Sequence, residues 1–356
     1  MTTDTVGGIW TYSLTLCREL NRHGVKTYLA TMGAPTPAQR REAMEIGNVQ
    51  LFESRYRLEW MDDPWDDVRR AREWLLSIER RVAPDLVHLN SYALAAADWS
   101  TPVLVVGHSC VLSWWRAVKG EDAPASWDRY RTEVRGGLVA ADIVIAPSRA
   151  MLQALKDFYG VADGRVIPNA CDPDVFVPAA KEPLIFSAGR LWDEAKNIRL
   201  LDQIASQLSW PVYIAGESRH PSGHETELQG ARVLGRLSPE LAHCWCARAS
   251  IYALPAKYEP FGLSVLEAAL SGCALVLGDI PSLRENWDGV AVFVDPNDSD
   301  ALRHAIEMLI ADDEHRIELA RRARQRGTAF SPERMSASYM RAYSELISTR
   351  QMHSCA

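Results

Sequence analysis

Short apolar, β-branched runs alternate with longer amphipathic stretches from one end of the chain to the other. In the first half the runs are KTYLATMG, VQLFES, DLVHLN, PVLVVGH, DIVIAPS and GRVIPN. In the second half they are PLIFSAGR, WPVYIAGE, ARVLGRL, SIYALPA, ALVLGD and AVFVDP. Between them lie segments with helical spacing, such as IWTYSLTLCRELNRHG, WDDVRRAREWLLSIERRV, NIRLLDQIASQLS, PELAHCWCARA and DALRHAIEMLIADD. Near-continuous apolar strands separated by helices predict parallel sheets covered on both faces. Two sets of six such strands predict an α/β protein of two doubly wound, Rossmann-like domains, 1–168 and 169–328. The seam falls in PNACDPDVFVPAAKEP, between the strands GRVIPN and PLIFSAGR. Such domains place ligands at the carboxyl ends of their strands, so two of them facing each other predict a cleft that holds the chemistry.

The start of the chain departs from this pattern. MTTDTVGG reads as the tail of a first strand followed by its Gly-rich turn, where a full apolar strand is expected. The strand looks clipped, and a mis-set start and an unusually short first strand are both open readings.

Composition narrows the function. The 356 residues are 47% hydrophobic and 24% charged, with a net charge of −7, which gives no general attraction to nucleic acid. No apolar run reaches the ~20 residues that cross a bilayer. The opening residues lack the basic and apolar regions of a secretory signal, so a cytoplasmic protein is expected. No basic amphipathic helix stands out, so membrane contact is expected to be peripheral at most. Cys244 and Cys246, beside His243, sit two apart on a helical pattern without a second pair, which reads as packing and not as a zinc site.

Four segments carry candidate chemistry. In KYEPFGLSVLEAALSGCALVLG a strand ends, a loop carries Glu259, and a helix opens near Gly262 and contains Glu267 before Gly272 stops it. The amides of Phe261, Gly262, Leu263 and Ser264 are expected to be free there, forming an anion site. A carboxylate accepts paired hydrogen bonds from vicinal hydroxyls, so Glu259 and Glu267 suit a sugar and a ribose on either side of a diphosphate. SAGRLWDEAKNIRLL delivers Arg190 and Lys196 after another strand, and fixed cations stabilise a departing diphosphate. The alternative for either cation is a salt bridge to Asp193 or Glu194. Gly7-Gly8 precedes a helix, where missing side chains let a ligand approach the backbone. His108 stands at the carboxyl end of VLVV, and His88 and Asn90 end the preceding strand.

Glu259, seven intervening residues and Glu267 resemble the E-x7-E motif of retaining GT-B glycosyltransferases, glycosyltransferase family 4 in particular. Arg190 and Lys196 resemble that family's GRL…KN segment, and Gly7-Gly8 its amino-terminal GG loop. The resemblance implies a GT-B fold, two Rossmann-like domains across a cleft, with the helix SPERMSASYMRAYSELIS in segment 329–356 crossing back to the first domain. It implies a retaining, metal-independent transferase that uses a UDP-, GDP- or ADP-sugar as donor and no cofactor. The roles it implies are Glu259 and His108 on the donor sugar, Arg190 and Lys196 on the diphosphate, and Glu267 on the ribose. Gly8 faces the phosphates, and Gly235 and Arg236 lie where the nucleobase is seated. Asn90, His88, Trp114 and Trp115 are candidates for the acceptor side, the acceptor being a glycan, a lipid or a small molecule. Asp172-Pro173-Asp174 spells D-x-D but reads as an Asx turn in the seam, not a metal site. A nucleotide-sugar 2-epimerase and a nucleotide-sugar-binding protein without turnover are the alternatives.

Overall fold

The computed structural model describes residues 1–219, 223 and 225–354, with side chains described to residue 349; the last two residues of segment 329–356 lie outside it. The chain gathers into two compact units. The first comprises Met1–Arg116, Glu121–Ala170 and the chain from Pro332 onward; the second comprises Ala117–Gly120 and Cys171–Ser331.

The first unit holds seven described strands in two parallel sheets. One is ordered β1-β2-β3, with β1 at Thr2–Asp4, β2 at Thr27–Met32 and β3 at Val49–Phe52. The other runs β4-β5-β6-β7, with β4 at Val87–Leu89, β5 at Val103–Val106, β6 at Ile143–Ala146 and β7 at Arg165–Val166. The residues Thr2–Asp4 are all buried and pair in register with Ala30–Met32. Asn90, just past β4, joins the two sheets by donating its backbone N–H to Thr2 Oγ1 (2.8 Å) and its side-chain amide to the Thr2 carbonyl (2.7 Å).

The helix Pro332–Ser354 belongs to this unit. Met335, Tyr339, Ala342, Tyr343 and Leu346 recur at helical spacing and form one buried stripe. That stripe packs with Tyr12, Leu16 and Leu20 of the helix Gly8–Arg22 and with Leu104, Val106 and Ile145 of β5 and β6.

The second unit is one six-stranded parallel sheet ordered β10-β9-β8-β11-β12-β13. Its strands are β8 (Glu182–Ala188), β9 (Val212–Ala215), β10 (Arg232–Gly235), β11 (Ala249–Leu254), β12 (Ala274–Gly278) and β13 (Val292–Val294). Every residue of β11 and β12 is buried, which is why these stretches read as unbroken apolar runs. The chain winds outward from β8 in one direction and from β11 in the other. The sheet thus has its switch point between β8 and β11, where doubly wound folds bind ligands.

Candidate functional site

Both segments with the strongest chemistry leave the sheet at that switch point. Past β8 the chain turns through Gly189 and Arg190 into a short 3-10 turn, Glu194–Lys196, capped by Asp193 Oδ1 accepting from the Ala195 N–H (3.1 Å). Asn197 follows with φ 55°, and its side-chain amide donates to the carbonyls of Pro255 (2.9 Å) and Pro296 (2.6 Å). The Lys257 N–H donates to the Ala195 carbonyl (2.8 Å), so the loops after β8 and β11 are laced together. That lacing brings Lys196 Nζ into an ion pair with Glu259 Oε2, both side chains mostly buried.

The other oxygen of Glu259 accepts from the backbone N–H of Gly262 (2.9 Å) and of Phe261 (3.3 Å). Its carbonyl accepts from Ser282 Oγ (2.5 Å), and the Phe261 carbonyl accepts from Asn286 Nδ2 (3.3 Å). This corrects the expectation of four free amides: Glu259 itself occupies those of Phe261 and Gly262. The amides of Leu263 and Ser264, the first two of the helix Leu263–Leu270, have no partner among the described residues. Ser264 Oγ accepts from the Tyr252 hydroxyl (2.8 Å), which fixes this end of the helix against β11. The other end closes with the Cys273 N–H on the Ala268 carbonyl (3.0 Å) and the Gly272 N–H on the Ala269 carbonyl (2.9 Å), the Schellman pattern expected of Gly272.

Glu267, on the same helix, has no hydrogen-bond or ion-pair partner for its carboxylate among the described residues. Burial pushes its pKa up to about 7. A desolvated, unpartnered carboxylate is disposed to receive hydroxyl donors.

The two cations differ. Lys196 is not paired with Asp193 or Glu194 but reaches across to Glu259. Arg190 makes the local salt bridge to Asp193 (2.7 Å) and lies over the Trp192 ring, 5.0 Å from its centroid. Gly235 ends β10 with φ 69° and accepts from the Gly216 N–H (2.9 Å), and Arg236 beside it is exposed. Asp172 Oδ1 accepts from the Asp174 N–H (3.0 Å), the expected Asx turn. Cys244 is exposed and Cys246 buried on the helix Pro239–Arg248, facing different surroundings as the two-residue spacing requires.

In the first unit, Gly7 (φ 88°) and Gly8 are exposed at the opening of the helix Gly8–Arg22, with no side-chain cap. His108 follows β5 and Gly107; its Nε2 meets Asn90 Oδ1 at 2.9 Å, and the Tyr12 ring packs edge-on against it at 4.5 Å. Burial drops the pKa of His108 to about 3, so its ring is neutral. Asn90 is buried with both side-chain amide atoms engaged. His88 is also buried, between the hydroxyls of Tyr343 (2.7 Å) and Tyr12 (3.4 Å). Its place is an internal link to the terminal helix, which corrects the acceptor-side reading of that residue. Trp114 and Trp115, on the helix Val111–Lys119, are partly buried with ring centroids 5.8 Å apart.

Reading the sequence did not single out Asn197, Ser282, Asn286, Tyr252 or Tyr12. Asn197 stood beside Lys196 in the KN pair. The others sit on helices or strands whose pattern carries no sign of polar work.

Two family profiles divide the chain between them. Residues 6–175 match the one described as Glycosyltransferase Family 4, and residues 182–312 the one described as Glycosyl transferases group 1. The chain belongs to the family 4 type of glycosyltransferases and has the GT-B fold. It is 26% identical over 306 residues to the D-inositol 3-phosphate glycosyltransferase of Xylanimonas cellulosilytica, covering 75% of this chain and 73% of that one. It is 28% identical over 288 residues to a glycogen synthase of Mycobacterium tuberculosis, covering 71% of this chain and 67% of that one. Among solved structures it is similar to sucrose-phosphate synthase from Thermosynechococcus elongatus, with a TM-score of 0.81, 18% identity, and coverage of 98% of this chain and 96% of that one. It is also similar to HepE of Anabaena, determined in complex with UDP-glucose, with a TM-score of 0.71, 16% identity, and coverage of 97% and 98%. No described helix is long and apolar enough to cross a membrane.

Proposed function

We propose that this glycosyltransferase moves a sugar from a nucleotide diphosphate sugar to an acceptor hydroxyl with retention of configuration and without a metal ion. The observation that carries the reading is the constellation at the second unit's switch point. The Glu259–Lys196 ion pair joins two laced loops, and the two open amides and the unpartnered Glu267 lie on the helix that follows the second of them. In this reading Glu267 takes the ribose hydroxyls. Lys196, the Leu263 and Ser264 amides, and Arg190 once released from Asp193 take the diphosphate. Glu259 is held at one oxygen by two amides, which leaves the other to exchange Lys196 for sugar hydroxyls. His108, Gly8 and the tryptophans of the first unit serve the sugar and acceptor side.

What supports retention in this reading is that cations and amides are in place to stabilise a departing diphosphate without a covalent intermediate. An acceptor that attacks on the face the leaving group vacates can pass its proton to a leaving phosphate oxygen. The complex of HepE with UDP-glucose makes UDP the first nucleotide to try. The test is calorimetry with UDP, GDP, ADP and their glucose and mannose conjugates, with and without EDTA, on wild type, Glu267→Ala and Lys196→Ala. Chelator-insensitive binding of one nucleotide, weakened at least tenfold by both substitutions, supports the donor site. Proton NMR of the product made with that donor then reads the anomer: an inverted product, or donor consumed without any acceptor, overturns the assignment.

A further inference from the structure

The carbonyl of Thr2 only accepts hydrogen bonds, and it lies 2.7 Å from one end of the Asn90 amide. That end must be the NH2 group, so the oxygen of Asn90 points the other way, at His108 Nε2, 2.9 Å away. An amide oxygen is itself an acceptor only. The proton of the neutral His108 ring therefore sits on Nε2, and Nδ1 carries a lone pair with no partner among the described residues. Tyr12 closes the side of the ring, and its hydroxyl turns away toward His88, which Tyr343 holds from the terminal helix.

We propose that Asn90 is a positioning residue that locks His108 in the Nε2–H tautomer, so that Nδ1 presents itself to the substrate as an acceptor for a sugar hydroxyl. The substrate half of this inference rests on the donor reading given above; the tautomer half does not. Asn90 also ties β1 to the end of β4, so a loss of activity alone would not separate positioning from structure.

The experiment is long-range proton–nitrogen correlation NMR of the 15N-histidine-labelled full chain, for wild type, Asn90→Asp and Asn90→Leu. Wild type is expected to show a pyrrole-type Nε2 and a pyridine-type Nδ1 for His108; a pyrrole-type Nδ1 overturns the proposal. Both variants lose the bond to the Thr2 carbonyl, but Asp keeps an acceptor facing Nε2. Asp is therefore expected to retain the tautomer and most of kcat, whereas Leu gives a tautomer mixture and lowers kcat about 10- to 100-fold. Equal losses with an unchanged His108 spectrum would mean a purely structural role and overturn it.

Should the variants fail to fold, wild type with bound nucleotide sugar decides. The Nδ1 resonance is expected to move upfield as it accepts a hydrogen bond. Binding detected by calorimetry with Nδ1 unmoved overturns the substrate half and leaves the donor site standing. No binding at all removes the donor reading, while the spectrum of the free protein still decides the tautomer.

Discussion

At the scale of single residues, the site's behaviour is set by which carboxylates already have partners. Glu267 keeps its proton up to about pH 7, where an unfolded glutamate loses it near 4.5. The folded state thus holds an extra proton between those values. Its burial costs no stability below pH 4.5 and progressively more as pH rises to 7. In the proposed role of Glu267 ribose hydroxyls donate to its ionised form, so nucleotide affinity is expected to climb from pH 6 to pH 8, by at most about tenfold per unit below the pKa. Calorimetry across that range should give a slope for wild type and a flat line for Glu267→Gln; equal slopes would remove Glu267 from the ribose site. Glu259 should behave differently. Glu259→Gln leaves Lys196 without its carboxylate, so nucleotide diphosphate affinity should hold or rise while kcat falls by about 10² to 10³. Loss of nucleotide binding in that variant would show that Glu259 serves only to build the loop. Much of this site could be read in advance, because charges at strand ends at fixed spacing have few structural reasons to be there. The pairings could not: Lys196 with Glu259 and Arg190 with Asp193 are choices among nearby carboxylates that only geometry makes.

At the scale of elements, backbone placement decides what side chains can do. Gly262 opens the helix Leu263–Leu270 with φ 90°, and a Cβ there would come within 3.2 Å of Val265 and 3.3 Å of Leu283. Gly262→Ala is expected to cost on the order of 1–2 kcal/mol from the left-handed backbone alone. It should also tilt the Leu263 and Ser264 amides. The expected result is a lower melting temperature together with weaker nucleotide binding in titrations; a stable variant with wild-type affinity would mean that the loop tolerates another path. The helix Asp128–Ala140 teaches a different lesson. It carries Gly136-Gly137 in its body, an arrangement that propensity alone disfavours. A Cβ on Gly137 would stand 1.8 Å from the Tyr92 carbonyl, so the residue is small because this helix runs against the turn after β4. No periodicity in the sequence announces that close approach.

At the scale of the whole molecule, the terminal helix is a component of the first unit's core. Tyr339 is fully buried against Tyr12 and His88. Tyr339→Ala is expected to destabilise the chain by about 3–5 kcal/mol. The residues proposed for the ribose and the diphosphate lie in the second unit, while His108 and Gly8 of the first are proposed only for the sugar and acceptor side, so affinity for the free nucleotide measured below the transition should stay within about twofold of wild type. Urea unfolding followed by calorimetry checks both, and a collapse of nucleotide binding would tie the donor site to the first unit's integrity.

The alternation of apolar runs and helical stretches by itself determined a doubly wound α/β chain. All twelve runs became strands; β5, β11 and β12, buried at every residue, are apolar along their length because both faces are covered, while the edge strands β3, β7 and β10 are partly exposed. Spacing likewise brought out Glu259, Glu267, Arg190 and Lys196, since strand ends of such sheets are where ligand chemistry gathers. Hydrogen bonds between segments distant in sequence were decided only by the tertiary structure. Asn90 fastened Thr2 of the first strand in place, 88 residues away along the chain. Glu259 filled two of the amides that looked open. His88 turned inward to the terminal helix, 255 residues away along the chain. The physical reason is the same in each case. Burial pattern is a property of local sequence, but the partner that satisfies a buried polar group is whichever one the fold carries to within about 3 Å.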